Sequence, residues 1–162
     1  MRLRASAGVG AAAMALVALG STTATAVTPP PNPGPDEVKV TAFGATNTIC
    51  YFNALKPNHS GSRMTGTGGI KSCTGGPVAC SSEVDLEFYN NFSRMWMTAG
   101  TSSRQFLCAP PLRSTTAAAT CIYQPGDPTV AWRTSTLGSM VNASGASTTA
   151  TAYSPILYIA CA

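Results

Sequence analysis

Glu83, Asp85 and Glu87 alternate with Val84, Leu86 and Phe88, and in an extended chain this places three carboxylates on one face and three apolar side chains on the other. Paired carboxylates carry out the acid and base steps of glycoside hydrolysis. The same alternation is also what any strand with one wet face shows, and a sugar cleft needs more chain and more aromatic platforms than this sequence holds. The three acids therefore read as a solvated strand face. His59 lies in Pro57-Asn58-His59-Ser60-Gly61, a loop-like composition. A hydrolytic triad needs a nucleophile against that imidazole and an acid behind it, and the chain has no G-x-S-x-G turn to present one. Gly66-Thr67-Gly68-Gly69 lacks the spacing of a phosphate-binding loop, because Ile70 stands where that motif needs its lysine. Three N-x-[ST] sequences begin at Asn58, Asn91 and Asn142. They matter only in a host that glycosylates.

The six cysteines are Cys50, Cys73, Cys80, Cys108, Cys121 and Cys161. With no C-x-x-C pair and a single histidine they do not form a zinc set, so no metal and no cofactor are expected. An even number in an exported chain reads as three disulfides, and six cysteines allow fifteen pairings. The set favoured on loop positions is Cys108–Cys121, Cys73–Cys80 and Cys50–Cys161.

The N-terminus sets the compartment. Arg2 and Arg4 precede an apolar run from Ala5 to Gly20, and Ala24-Thr25-Ala26 resembles a cleavage site. Together these are the three parts of a secretory leader over residues 1–26, so the protein is expected outside the cell. Over residues 27–162, eight Lys and Arg face six Asp and Glu, scattered singly. That balance supplies no footprint for nucleic acid or an anionic membrane. Residues 27–43 begin Val-Thr-Pro-Pro-Pro-Asn-Pro-Gly-Pro-Asp and are expected to form an extended arm ahead of a domain over residues 44–162.

Within that domain, short strand-like runs alternate with turn signals. They include Thr48 to Asn53, Ile70 to Cys73, Glu83 to Phe88, Phe92 to Ala99 after an Asn90-Asn91 turn, Arg104 to Cys108, Cys121 to Gln124, Thr129 to Ser135, Leu137 to Asn142 and Tyr153 to Cys161. Lys56 to Gly69 reads as a long loop. Ser114 to Thr120 and Ala143 to Ala152 read as loops or weak strands, with a short helix left open in either by their alanines. No long apolar stripe with helical period is present. The expected fold is all-β, a small Ig-like antiparallel β-sandwich stabilised by disulfides. In the strand after Asn91, Arg94 and Trp96 share a face, and Trp and Arg are enriched where proteins bind each other.

From Gly66 onward the chain resembles small exported actinobacterial proteins that are compact β-sandwiches. The residues that carry this are G-T-G-G-I-K-S-C-T-G-G-P-V over 66–78, the strand Val84 to Phe88, Trp96, and Trp132-Arg133-Thr134. In size, export and a leading arm it is similar to the adaptor subunits of umbrella toxin particles. That resemblance implies a non-catalytic protein joining a lectin subunit to a large repeat-bearing toxin subunit, with its N-terminal segment in a cleft of the lectin. The expectation is thus a protein-binding adaptor, not an enzyme. Its partners are other secreted proteins, docked by strand addition or groove insertion through Val38, Val40 and Phe43, with Arg94 and Trp96 as a further contact. Two alternatives stay open. One is an enzyme inhibitor that presents Ala109 to Thr120 as a braced loop. The other is a sugar- or wall-binding module using Tyr51, Trp96 or Trp132.

Overall fold

The computed structural model describes residues 35–44, 47–124 and 129–161. The expected leader, residues 1–26, and the proline-rich part of the arm, residues 27–34, lie outside them. Ten strands make up the described chain: β1 (Glu37–Ala42), β2 (Thr48–Ala54), β3 (Asn58–Ser60), β4 (Arg63–Thr74), β5 (Ala79–Asn90), β6 (Met95–Thr101), β7 (Arg113–Thr120), β8 (Val130–Val141), β9 (Ser147–Tyr153) and β10 (Leu157–Ile159). Among the described residues no helix is long and apolar enough to cross a membrane.

The strands form two antiparallel sheets. In the first, β1 pairs with β2, and β2 and β3 follow each other along one flank of β4 while β7 runs along the other flank. In the second, β6 pairs with β5, β5 with β8, and β9 and β10 share the remaining flank of β8. Each sheet thus has one interrupted strand. In the second sheet the break follows from Pro155, which has no N–H for the ladder. The inner faces meet in one apolar layer. Phe52, Ile70 and Met140 pack in one half, and Met64, Leu86 and Trp132 in the other, all fully buried.

The sandwich departs from the Ig order. In Ig domains the second and third strands lie in opposite sheets. Here the first three strand positions, β1, β2 with β3, and β4, are neighbours in one sheet. The arm boundary also moves. Residues 37–42, expected within a free arm, pair along their whole length with β2, and Val40 and Ala42 enter the core. The domain therefore begins before residue 44.

Lys56 to Gly69, expected as a loop, instead holds β3 and half of β4, turning at Gly61 with φ of 60°. The glycines that suggested a loop are there because the opposite sheet comes close. A methyl group at Gly68 would lie 2.0 Å from Thr136 Oγ1 and 2.6 Å from the carbonyl of Asn53. In the same way the ring of Phe52 rests on Gly138, where a Cβ would stand 2.1 Å from it. At the side of the sandwich where β6 faces β7, a Cβ on Gly100 would come 2.3 Å from the carbonyl oxygen of Ala118.

All six cysteines are paired, as Cys50–Cys73, Cys80–Cys108 and Cys121–Cys161. None of the three favoured pairings, Cys108–Cys121, Cys73–Cys80 or Cys50–Cys161, is formed. The register explains why. Cys50 and Cys73 stand directly opposite across β2 and β4, with Cα atoms 4.1 Å apart. Cys161 follows β10 to the end where β8 begins, the opposite end from Cys50.

Candidate functional site

The outer face of the second sheet carries the three acids, and each is already engaged. Arg104 Nε donates to Glu83 at 2.8 Å, Thr101 Oγ1 to Asp85 at 2.6 Å, and Arg133 Nε to Glu87 at 2.6 Å. Val84, Leu86 and Phe88 turn inward as the alternation required. Each of the three carboxylates thus accepts a hydrogen bond from a neighbouring side chain. His59 sits in β3 opposite Met64, in a strand rather than a loop.

Arg133 and Glu87 form the most enclosed of the three ion pairs among the described residues. The Arg133 guanidinium lies 4.2 Å from the ring centroid of Trp96 and 4.4 Å from that of Tyr153, and Tyr89 meets Trp96 edge-on at 5.5 Å. Such stacking attracts a cation to the ring faces. The sequence reading missed this cluster, although an arginine in the middle of a strand otherwise made of apolar, hydroxyl and glycine residues could have signalled it. Tyr153, by contrast, reaches it only through the pairing of β8 with β9.

At one end of the sandwich the register gathers the turns after β1, β4 and β8. The segment from Ser102 to Leu112 joins them, anchored by Cys80–Cys108 and by reciprocal backbone bonds between Gln105 and Ser82 at 2.8 and 3.0 Å. It was expected to contain a strand from Arg104 to Cys108, but among the described residues it makes only this single bridge. The bridge and the disulfide hold the backbone while Phe106, Leu107 and Leu112 each stay more than half exposed, as do Val78 and Phe43 at the same end. Buried Asn142 organises the neighbouring turn. Its Oδ1 accepts from Ser144 N, Ser144 Oγ and Ala146 N, and its Nδ2 donates to the Phe43 carbonyl at 3.1 Å. With both ends of its amide used, Asn142 is no glycosylation acceptor in the folded protein.

The expected site residues do not form one site. Val40 is buried, and Val38 packs against the core from β1. Val40 is thus enclosed by the protein itself, whereas Val38 is half-buried. Phe43 is exposed at the end just described, whereas Arg94 is exposed in the β5–β6 turn with φ of 56°. In that turn Asn90 Oδ1 accepts from the backbone N–H groups of Phe92 and Ser93 at 2.9 and 3.0 Å, so β6 starts only at Met95. Trp96 stacks on Arg133, and Trp132 is fully buried and offers no platform to a sugar. Ser114 to Thr120, expected as part of a braced loop, is strand β7 paired to β4. At the opposite end a cleft of about 420 Å³ is lined by Asn90, Phe92, Tyr123 and Gln124. Gln124 closes its base by donating to the Tyr89 carbonyl and accepting from Asn91 N.

No protein-family model, curated protein or solved structure matches this chain.

Proposed function

We propose that this protein is a non-catalytic binding module that joins other exported proteins into an extracellular assembly, and that it docks through the end carrying Cys80–Cys108. The observation that carries this reading is the segment Ser102–Leu112. A disulfide and a backbone bridge immobilise it, yet it holds Phe106, Leu107 and Leu112 out in water. Exposed large apolar side chains on a rigid support are what another protein can cover, and rigidity lowers the ordering cost of docking. Three closed disulfides agree with an oxidising compartment. The resemblance to adaptor subunits of umbrella toxin particles supports a linking role. Docking by β1 loses its support, because β1 is already paired in its own sheet. The test is cross-linking of the tagged protein in culture medium, with mass spectrometry of what it captures. Phe106→Asp with Leu107→Asp is expected to remove the captured partner without lowering the melting temperature. Equal capture by the double variant would sink the proposal.

The same segment favours a second reading, inhibition of a secreted protease. Phe106 and Leu107 stand exposed immediately before a disulfide-bonded cysteine, as a held substrate would. Titration of chymotrypsin-like and subtilisin-like proteases separates the two. An inhibitor gives stoichiometric loss of activity and slow cleavage beside Phe106 or Leu107, and an adaptor gives neither.

A further inference from the structure

Two disulfides meet at the end of the sandwich that carries the Ser102–Leu112 segment. Cys50–Cys73 joins β2 to β4 within the first sheet, and Cys80 reaches it from β5 of the second. The Sγ atoms of Cys50, Cys73 and Cys80 all lie within 4.8 Å of one another. Cys80 is bonded to Cys108, so its sulfur belongs to a different bridge from the two beside it. A thiolate formed at Cys80 would stand next to an intact disulfide, with about 3 Å at most to close before a bond of ordinary length. Thiol–disulfide exchange requires an attacking thiolate, a disulfide sulfur within reach, and a leaving sulfur able to carry the charge.

Burial sorts the four sulfurs into an inner and an outer pair. Cys50 and Cys80 are 0% and 4% exposed and pack with Phe52, Ile70 and Met140, whereas Cys73 and Cys108 are half-buried. An external thiol therefore meets Cys108 or Cys73 first. Attack at Cys108 puts the electron pair on Cys80, where an anion has apolar neighbours and little water. Onward attack by Cys80 on Cys50 moves that charge out to Cys73. Entry at Cys73 gives the mirror sequence, through Cys50 to Cys80 and out at Cys108. Both routes end in one inner bridge.

We propose that these four cysteines form an exchange site for low-molecular-weight thiols, with Cys50–Cys80 as its alternate disulfide. With entry at Cys108, the incoming thiolate bonds Cys108 Sγ as the Cys80–Cys108 bond breaks. The Cys80 thiolate then bonds Cys50 Sγ as the Cys50–Cys73 bond breaks, and Cys73 leaves as a thiolate that takes a proton from water. One thiol is consumed, and one mixed disulfide and one protein thiol are formed, with no net oxidation. The new bridge ties β2 to β5 across the core, while the Ser102–Leu112 segment loses one of its two anchors. The effect on docking rests on the reading of this end as a binding surface; the exchange itself does not.

The test is peptide mapping without reduction of the full-length protein after brief exposure to glutathione, quenched with acid and alkylated. Cys50–Cys80 is expected to appear as Cys50–Cys73 and Cys80–Cys108 are lost together, with Cys121–Cys161 intact. Absence of Cys50–Cys80 overturns the proposal, whether or not glutathione has been added to Cys108 or Cys73. So does a Cys73–Cys80 bridge in its place, which would make Cys50 the leaving sulfur. New partners for Cys121 or Cys161 overturn it as well, since they mark exchange in the unfolded chain. Cys108→Ser frees Cys80 with no thiol added and is expected to give Cys50–Cys80 and a free Cys73. Where this variant keeps Cys121–Cys161, retention of Cys50–Cys73 overturns the proposal too. Partner capture by the Phe106→Asp, Leu107→Asp variant tests the docking surface separately, so either reading can fail alone.

Discussion

Glu87 and Arg133 stand directly opposite each other across β5 and β8 and close an ion pair of 2.6 Å on a sheet face that no other strand of the described residues covers, yet their side chains are only 16% and 6% exposed. The cover comes from the side, from Trp96 and Tyr153. Removing the acid alone leaves a withdrawn guanidinium without its counter-charge. Glu87→Ala is therefore expected to destabilise the protein by about 3 kcal/mol in urea unfolding. Arg133→Met combined with Glu87→Leu is expected to cost less than Glu87→Ala alone, because it removes both charges together. A double variant less stable than the single one would show that the stacked cation itself, rather than the pair, stabilises this face.

Gly138 leaves the space that the Phe52 ring fills. Gly138→Ala is expected to destabilise the fold by about 1–3 kcal/mol through overpacking. Phe52→Leu in the same chain should recover part of that loss, so that the two effects measured by thermal unfolding fall short of additive. Full additivity would mean that the backbone of β8, not the ring, is what moves.

The Cys121–Cys161 bridge spans 40 residues of sequence and ties the end of β7 to the segment after β10. Chain entropy puts the worth of a loop that long at about 4 kcal/mol. Cys121→Ala with Cys161→Ala is expected to lower the urea midpoint accordingly. Peptide mapping without reduction should recover Cys50–Cys73 and Cys80–Cys108 from that variant unchanged.

Lys71 on β4 donates to Glu37 on β1 at 2.5 Å, reaching across β2. The hydrogen bond to Glu37, and then its charge, hold the Lys71 ammonium above the usual lysine pKa of 10.5. A raised folded-state value means that folding favours the protonated lysine. The contribution is complete below the unfolded value of 10.5 and is lost as pH climbs through the higher folded one. The difference in melting temperature between the protein and Lys71→Met is thus expected to be small and constant up to about pH 10 and to fall away only as pH rises through the folded value above 10.5. A difference that persists at high pH would assign the effect of the substitution to packing of the lysine stem.

Periodicity was a reliable guide where one strand face meets the core and the other meets water. Val84, Leu86 and Phe88 against Glu83, Asp85 and Glu87 is the plainest case. It misled where small residues serve close packing. Gly66 and Gly68 look like punctuation, but they let β4 lie against Thr134 and Thr136 of the opposite sheet. The polar site was half legible. Trp96 stood out by type, whereas Tyr153 belongs to an Ala- and Thr-rich run whose partner only the β8–β9 register reveals. Disulfide pairing and strand order were not legible, because both depend on which strands become neighbours across the sandwich, and spacing along the chain does not encode that. The exposed Phe106 and Leu107 looked like strand residues for the same reason: two large apolar side chains beside a cysteine suggest burial until the loop that carries them is seen to run outside both sheets.

The near-contact of Gly100 with the carbonyl of Ala118 has a consequence for life at high concentration. Ser114 to Thr120 is uncharged and holds no proline, the kind of strand on which fibrils grow. With β6 folded down against it, an invading chain finds that margin taken at its middle. The molecule is in effect hemmed along one side, and growth into stacks by way of that rim is denied without the lysines or prolines that other proteins spend on the same protection.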